Sequence, residues 1–110
     1  MIDAFDPVIH APVRLRVMAT LAACSPGALV EFTRLRALLK LTDGNLGAHL
    51  STLEKAGYVS IEKDFVGKSP RTRVAATPEG RYAYAGHIAA LRAIVDGAAR
   101  MDSVEGDAGA

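Results

Sequence analysis

Apolar residues recur at helical spacing in several stretches of this chain and alternate in one. Val13, Val17, Met18 and Leu21 repeat at the three-to-four-residue interval of a buried helix face. Pro12 suits the first turn of that helix, where a missing N–H leaves no bond unmade. The pattern stops near Ala23-Cys24, ahead of the break Ser25-Pro26-Gly27. Upstream, Pro7-Val8-Ile9-His10 predicts a short turn or helix. Leu29-Val30-Glu31-Phe32 reads as a short extended piece. Leu35, Leu38 and Leu39 then predict a short helix capped by Thr33. Leu41 leads to Thr42, the next N-cap. Leu46, Leu50 and Leu53, at i, i+4 and i+7, predict a helix over 42–56. Gly57 follows at the position where a left-handed residue ends a helix.

After Gly57 the period becomes two. Val59, Ile61 and Lys63 alternate with Ser60, Glu62 and Asp64, and Phe65-Val66 closes the run. Gly67-Lys68-Ser69-Pro70 predicts the loop, and residues 71–76 alternate again, giving a two-stranded antiparallel hairpin. Thr77-Pro78-Glu79 opens the last helix, with Thr77 as N-cap, Pro78 at N1 and Glu79 near the positive end of the dipole. Tyr84, Ile88, Leu91 and Val95 form its stripe. Run to about Met101, this helix is roughly 30 Å long.

The predicted order is helix, short strand, helix, helix, hairpin, helix: mainly α with a β-hairpin, an α+β arrangement. Two helices joined by a tight Leu41-Thr42 connection and followed by a hairpin make a winged helix-turn-helix, a DNA-reading architecture.

Composition narrows the class. The 110 residues suffice for one domain, expected over 1–101. The acidic, small-residue stretch 102–110 is expected to be a disordered tail. Half of the residues are hydrophobic and Trp is absent, so a core forms but a large aromatic cofactor cage does not. No apolar run approaches the ~20 residues needed to span a bilayer. The start Met1-Ile2-Asp3-Ala4-Phe5-Asp6 lacks the basic and apolar regions of a signal peptide. A single cysteine, Cys24, makes no internal disulfide and no CxxC metal site. A cytoplasmic protein is expected.

The net charge of +1 conceals an uneven distribution. Residues 32–92 carry ten basic and five acidic side chains, a net of +5, whereas 1–31 and 93–110 are net −1 and −3. A basic centre between acidic ends suits a polyanion-binding face, or simply a solvated surface. No Ser/His/Asp set, P-loop, GxGxxG or metal motif is present, so neither an enzyme nor a cofactor is expected.

Several runs carry a family likeness. They are Asp6-Pro7-Val8-Ile9-His10, residues 13–18, Phe32-Thr33-Arg34-Leu35, and Leu41-Thr42-Asp43-Gly44-Asn45-Leu46. The most specific is His49-Leu50-Ser51-Thr52-Leu53-Glu54-Lys55-Ala56-Gly57-Tyr58-Val59, with Thr77-Pro78-Glu79-Gly80-Arg81 at the right distance. Through these the chain resembles small single-domain winged helix-turn-helix regulators of the MarR/ArsR-like group, from about Phe5 to Val95. Two departures stand out: Gly47 lies inside the recognition helix, and that helix has no Arg. The resemblance implies a sequence-specific transcriptional regulator, a repressor, acting as a homodimer on a pseudo-palindromic operator. It makes His49 a hydrogen-bonded packing residue. MarR relatives bind small aromatic compounds, which leaves an effector open here. Metal-sensing ArsR relatives use Cys or His clusters that this chain lacks.

The residues assign the DNA contacts as follows. Opposite the leucine stripe the helix over 42–56 presents Ala48, Ser51, Thr52 and Lys55, with Asn45 at its edge. These are small or hydrogen-bonding side chains that fit a major groove. The segment 64–73 is a basic wing whose Lys68, Arg71 and Arg73, with Lys63 facing them, reach phosphates or the minor groove. The plainer reading is that edge-strand cations discourage aggregation. Arg34, with Arg36 and Lys40, adds phosphate contacts; Asp43 serves the helix dipole instead. Tyr84, Ile88, Leu91 and Val95 are assigned to dimerisation. The alternative function is a winged helix that binds another protein, which an acidic wing would favour and this basic one does not.

Overall fold

A computed structural model describes residues 5–109, with side chains through residue 101. Asp6 opens the fold as the N-cap of α1 (Pro7–His10), its carboxylate accepting the backbone N–H groups of Val8 and Ile9. α2 (Pro12–Ala22) follows after one residue and buries Val17, Met18 and Leu21. The chain then forms β1 (Val30–Glu31) and passes straight into α3 (Phe32–Leu39).

Glu31, not Thr33, is the N-cap of α3, and it makes no side-chain cap. Pairing of Val30 and Glu31 with the sheet fixes the helix start two residues earlier than the Thr33 signal suggests. Leu35 and Leu39 are buried, but Leu38, expected on the same stripe, is 57% exposed. α3 ends at Lys40, which takes the left-handed conformation with φ 55°.

Thr42 caps α4 (Asp43–Lys55), accepting the Asn45 N–H at 3.1 Å. Leu46, Leu50 and Leu53 lie fully within the core. At the far end Gly57 (φ 82°) donates to the Glu54 carbonyl, and Tyr58 donates to that of Leu53. This double bond pattern is a Schellman motif, and it turns the chain into β2 (Val59–Val66).

β3 (Ser69–Ala76) returns antiparallel, with Val66 opposite Ser69. The wing loop is therefore only Gly67-Lys68, and Ser69 and Pro70 belong to the strand. Gly67 takes φ 61°, the positive value required at the first position of a two-residue hairpin turn. The sheet has three strands, ordered β1-β3-β2, because Val30 pairs with Val74 and Glu31 with Arg73. The short extended piece of the sequence is thus a third strand beside the hairpin.

α5 (Pro78–Gly109) begins beside the Schellman turn. Thr77 donates its backbone N–H to the Tyr58 carbonyl at 3.0 Å and its hydroxyl to that of Gly57 at 2.6 Å. The same hydroxyl caps the helix by accepting the Gly80 N–H. Arg81 reaches back to α2, donating to the carbonyls of Leu21, Ala22, Cys24 and Ser25 at 3.0–3.2 Å. These carbonyls lie at the open C-terminal end of α2, where a guanidinium is favoured.

α5 continues past Met101 to Gly109. No proline interrupts residues 102–109, so the backbone meets no obstacle to the helical path expected to stop earlier. No helix among the described residues is long and apolar enough to cross a membrane.

Candidate nucleic-acid interface

Burying the leucine stripe of α4 turns the opposite face outward. Asn45, Ala48, Ser51 and Lys55 are exposed there, as expected. Thr52 is half-buried and donates its hydroxyl to the Ala48 carbonyl at 3.3 Å. A Cβ added at Gly44 or Gly47 would meet no atom within 4 Å, so both glycines leave open space along this helix.

An open cleft of about 340 Å³ separates α4 from the hairpin. Gly47, Ser51 and Glu54 line it from the helix, Ile61, Lys63 and Thr72 from the strands, and Phe32 and Leu50 from its floor. The register explains why Lys63 and Thr72 face α4. They are opposite each other, two positions beyond the pair Ile61 and Val74, so they share its face.

Arg71 and Arg73 fall on the other face and are not free cations. Arg71 grips Asp64 with two bonds, at 2.9 and 2.7 Å. Arg73 reaches Asp64 at 3.3 Å and Glu62 at 3.5 Å. With Glu31 opposite Arg73, this makes a ladder of alternating charge across all three strands. The Arg71 guanidinium holds the Asp64 carboxyl below its ordinary pKa, and Asp64 raises that of Arg71. Lys63 and Lys68 stay outside the ladder, and among the described residues neither has an ion-pair partner.

The third group of expected contacts is divided as well. Arg36 pairs with Asp43 at 2.5 Å, bridging α3 and the start of α4. Lys40 is exposed in the turn. Arg34 lies elsewhere: it lines a separate cleft with Thr20, Cys24, Leu29 and Leu38, between α2, β1 and α3. Helical spacing alone does not show which side of α3 the other elements cover.

A polar cluster behind α4 was not legible in the sequence. Tyr58 donates its hydroxyl to the Asp6 carboxylate, and that bond, then burial and the carboxylate charge, push the tyrosine up to about 12. The Asp6 N–H donates to Nδ1 of His87, which is fully buried. The His10 ring stands 3.4 Å from Nε2 of His87, and Phe5 packs on both rings. Burial first, and then His10, lower the His87 pKa, with Asp6 opposing. His49, expected to pack and hydrogen-bond, meets Arg14 at 3.1 Å. The Asp6-Pro7 pair, a capping signal ahead of a helix, was the one local hint of this cluster.

A helix-turn-helix whose second helix faces a hairpin across an open cleft is the arrangement expected of a winged helix. Residues 13–95 match the family model described as a winged helix DNA-binding domain. The chain belongs to that family.

The winged-helix domain has relatives along most of its length. The uncharacterised protein MJ0432 of Methanocaldococcus jannaschii is 33% identical over 81 residues, covering 74% of this chain and 85% of its own. A transcriptional regulator homologue from Pyrococcus horikoshii OT3 superposes with a TM-score of 0.73 at 32% identity, covering 82% of this chain and 86% of its own. A MarR-family transcriptional regulator of Enterococcus faecalis V583 gives 0.64 at 28% identity, covering 87% and 83%. The winged-helix domain is thus a DNA-binding transcriptional regulator by family, and the family is not enzymatic.

Proposed function

We propose that this winged helix is a cytoplasmic, homodimeric repressor that reads a pseudo-palindromic operator. α4 enters the major groove, where Asn45, Ser51 and Thr52 meet base edges or phosphates and Ala48 allows close approach. Lys55 contacts the backbone. The wing lies on the adjacent backbone or minor groove, with Lys63 and Lys68 supplying its phosphate contacts. Arg71 and Arg73, expected there from sequence, act mainly by holding the strands together through Asp64 and Glu62. The observation that carries this reading is the cleft between the small-residue face of α4 and the Lys63–Thr72 face of the hairpin.

α5 supplies the dimer contact. Of the four residues assigned to it, Tyr84 packs against its own core, Ile88 and Leu91 are half-buried, and Val95 is 64% exposed. Ile94 and Met101 are comparably exposed, so the self-association face lies further along the helix, around 94–101. Half-sites would then be centred about 10 bp apart, or a multiple of that.

Fluorescence anisotropy with DNA from upstream of the protein's own gene tests the reading, with a shuffled duplex as control. Preference for the natural duplex, declining steeply with salt, is the expected result. Lys68→Ala should lower the salt slope by about one. Equal, weak binding to both duplexes at low salt would count against a sequence-specific regulator.

A further inference from the structure

The apex of the wing departs from the rest of the hairpin. Lower down, the outward positions are charged or hydroxylated. At the apex stand Phe65, 69% exposed, and Val66, 56% exposed, followed by the Gly67-Lys68 turn that leads to Ser69. Phe65 is paired with Pro70, and neither belongs to the core of the domain.

Their direction follows from the register. Val59, Ile61, Lys63 and Phe65 alternate onto one face of β2, and their partners Ala76, Val74, Thr72 and Pro70 onto the same face of β3. Lys63 and Thr72 line the cleft beside Ser51. Phe65 therefore extends the cleft face past Lys63, while its partner Pro70 borders a smaller pocket with Phe32 and Thr33 at the start of α3. Lys63 precedes them and Lys68 tops them, both without an acidic partner among the described residues. The two wing carboxylates are on the opposite face, neutralised by Arg71 and Arg73.

We propose that the wing apex is an apolar wedge for duplex DNA. Phe65, backed by Pro70, enters the minor groove beside the half-site and pries apart one base step, while Lys63 and Lys68 hold the flanking phosphates. An aromatic ring on a short, fully paired hairpin is a stiff probe: the two-residue turn leaves little slack to fold it away. Apolar side chains inserted in this way unstack a step and bend the duplex toward the major groove. The wedge makes the domain sensitive to how easily a step opens, so flexible pyrimidine–purine steps are favoured at a position read by no hydrogen bond. A protein partner would also accept an exposed Phe. Continuity with the DNA-facing cleft and the two cations Lys63 and Lys68, without acidic partners among the described residues, favour the nucleic acid. The inference rests on the DNA-binding reading above.

The test uses the full chain and a duplex of about 30 bp, recovered by the wild-type protein from a randomised pool. End-labelled duplex reports bending by energy transfer, and 2-aminopurine at successive steps reports unstacking. Wild type should shorten the end-to-end distance and brighten 2-aminopurine at one step in each half-site. Phe65→Ala should lose both signals and about tenfold in affinity, the scale of one base–aromatic contact. Phe65→Leu should keep part of the bend, and Lys68→Ala should weaken binding but leave the bend in place. Circular dichroism should show unchanged melting for Phe65→Ala, since that side chain is exposed. A wild-type complex that is straight, or a Phe65→Ala complex bent as strongly as wild type, overturns the wedge and leaves the DNA-binding reading intact. Recovery of no duplex above the starting pool overturns both.

Discussion

Gly80 is where the last helix comes closest to the body of the domain. A Cβ built there would lie 2.0 Å from the Tyr58 carbonyl oxygen, with the Tyr58 carbonyl carbon and Cα also within 3 Å. Backbone atoms cannot rotate away as a side chain would. Gly80→Ala should therefore destabilise the domain by about 1–3 kcal/mol, measured by urea denaturation. Sequence alone marked the Thr77–Arg81 run as a family signature without showing its cause. The cause is tertiary: Thr77 and Gly80 meet the Schellman turn, and Arg81 closes the end of α2. Nor could sequence join His10 to His87, since no local pattern links residues that far apart. Their pairing has a pH consequence. Nδ1 of His87 accepts the Asp6 N–H, so it must be unprotonated, and the ring is buried against Phe5 and His10. The folded state thus holds His87 neutral, with a lowered pKa, while the unfolded chain takes up a proton near the ordinary value of about 6.5. The unfolded state binds more protons in that range, so stability rises with pH there and is lost as pH falls below about 6.5. The urea midpoint should drop between pH 7 and pH 5, and less so in His87→Gln, whose amide oxygen can still accept the Asp6 N–H. Equal drops in both proteins would assign the acid sensitivity to other groups.

Among the elements, α4 combines a well-capped start and end with an interior that resists helix formation. Gly47 weakens the helix by about 1 kcal/mol relative to alanine, and nothing in the domain blocks a methyl group there. Gly47→Ala should stabilise the domain by about that amount in thermal melts. Because Gly47 lines the cleft, the same change should weaken DNA binding in the anisotropy assay. A gain in both would mean the duplex never approaches this side of the helix. The boundaries of α2 and α4 were legible because Pro12, Thr42 and Gly57 are strong local signals. The hairpin register was not. Reading 67–70 as a four-residue loop sets Arg71 opposite Val66 and Arg73 opposite Asp64. The true two-residue turn moves Asp64 opposite Arg71 and Glu62 opposite Arg73, which creates the charge ladder. Pro70 caused the misreading, since proline argues against a strand. It is tolerated here because β1 reaches only Arg73 and Val74, leaving β3 with one free edge at Pro70.

For the whole molecule the dominant feature is its elongation, 70 × 25 × 23 Å, produced by α5. A helix carrying exposed Ile94, Val95 and Met101 has little to stabilise it alone in water. Ile94→Asp combined with Val95→Asp should convert the proposed dimer to monomer in sedimentation velocity and leave the melting of the body nearly unchanged. Operator affinity should fall, because two linked half-sites bind far more tightly than one. The number of residues between the two ends of this helix then acquires a meaning of its own. Gly80 and Arg81 clamp one end to the reading head, and in the proposed dimer the segment around 94–101 clamps the other to its twin. Each residue added between them turns the far end by about 100° and advances it by ~1.5 Å. One inserted alanine would swing the twin head around the duplex to the wrong side, whereas seven would bring it nearly back into phase, displaced by ~10 Å along the helix axis. The spacing of the operator is thus written as a count of residues in a segment that touches no base.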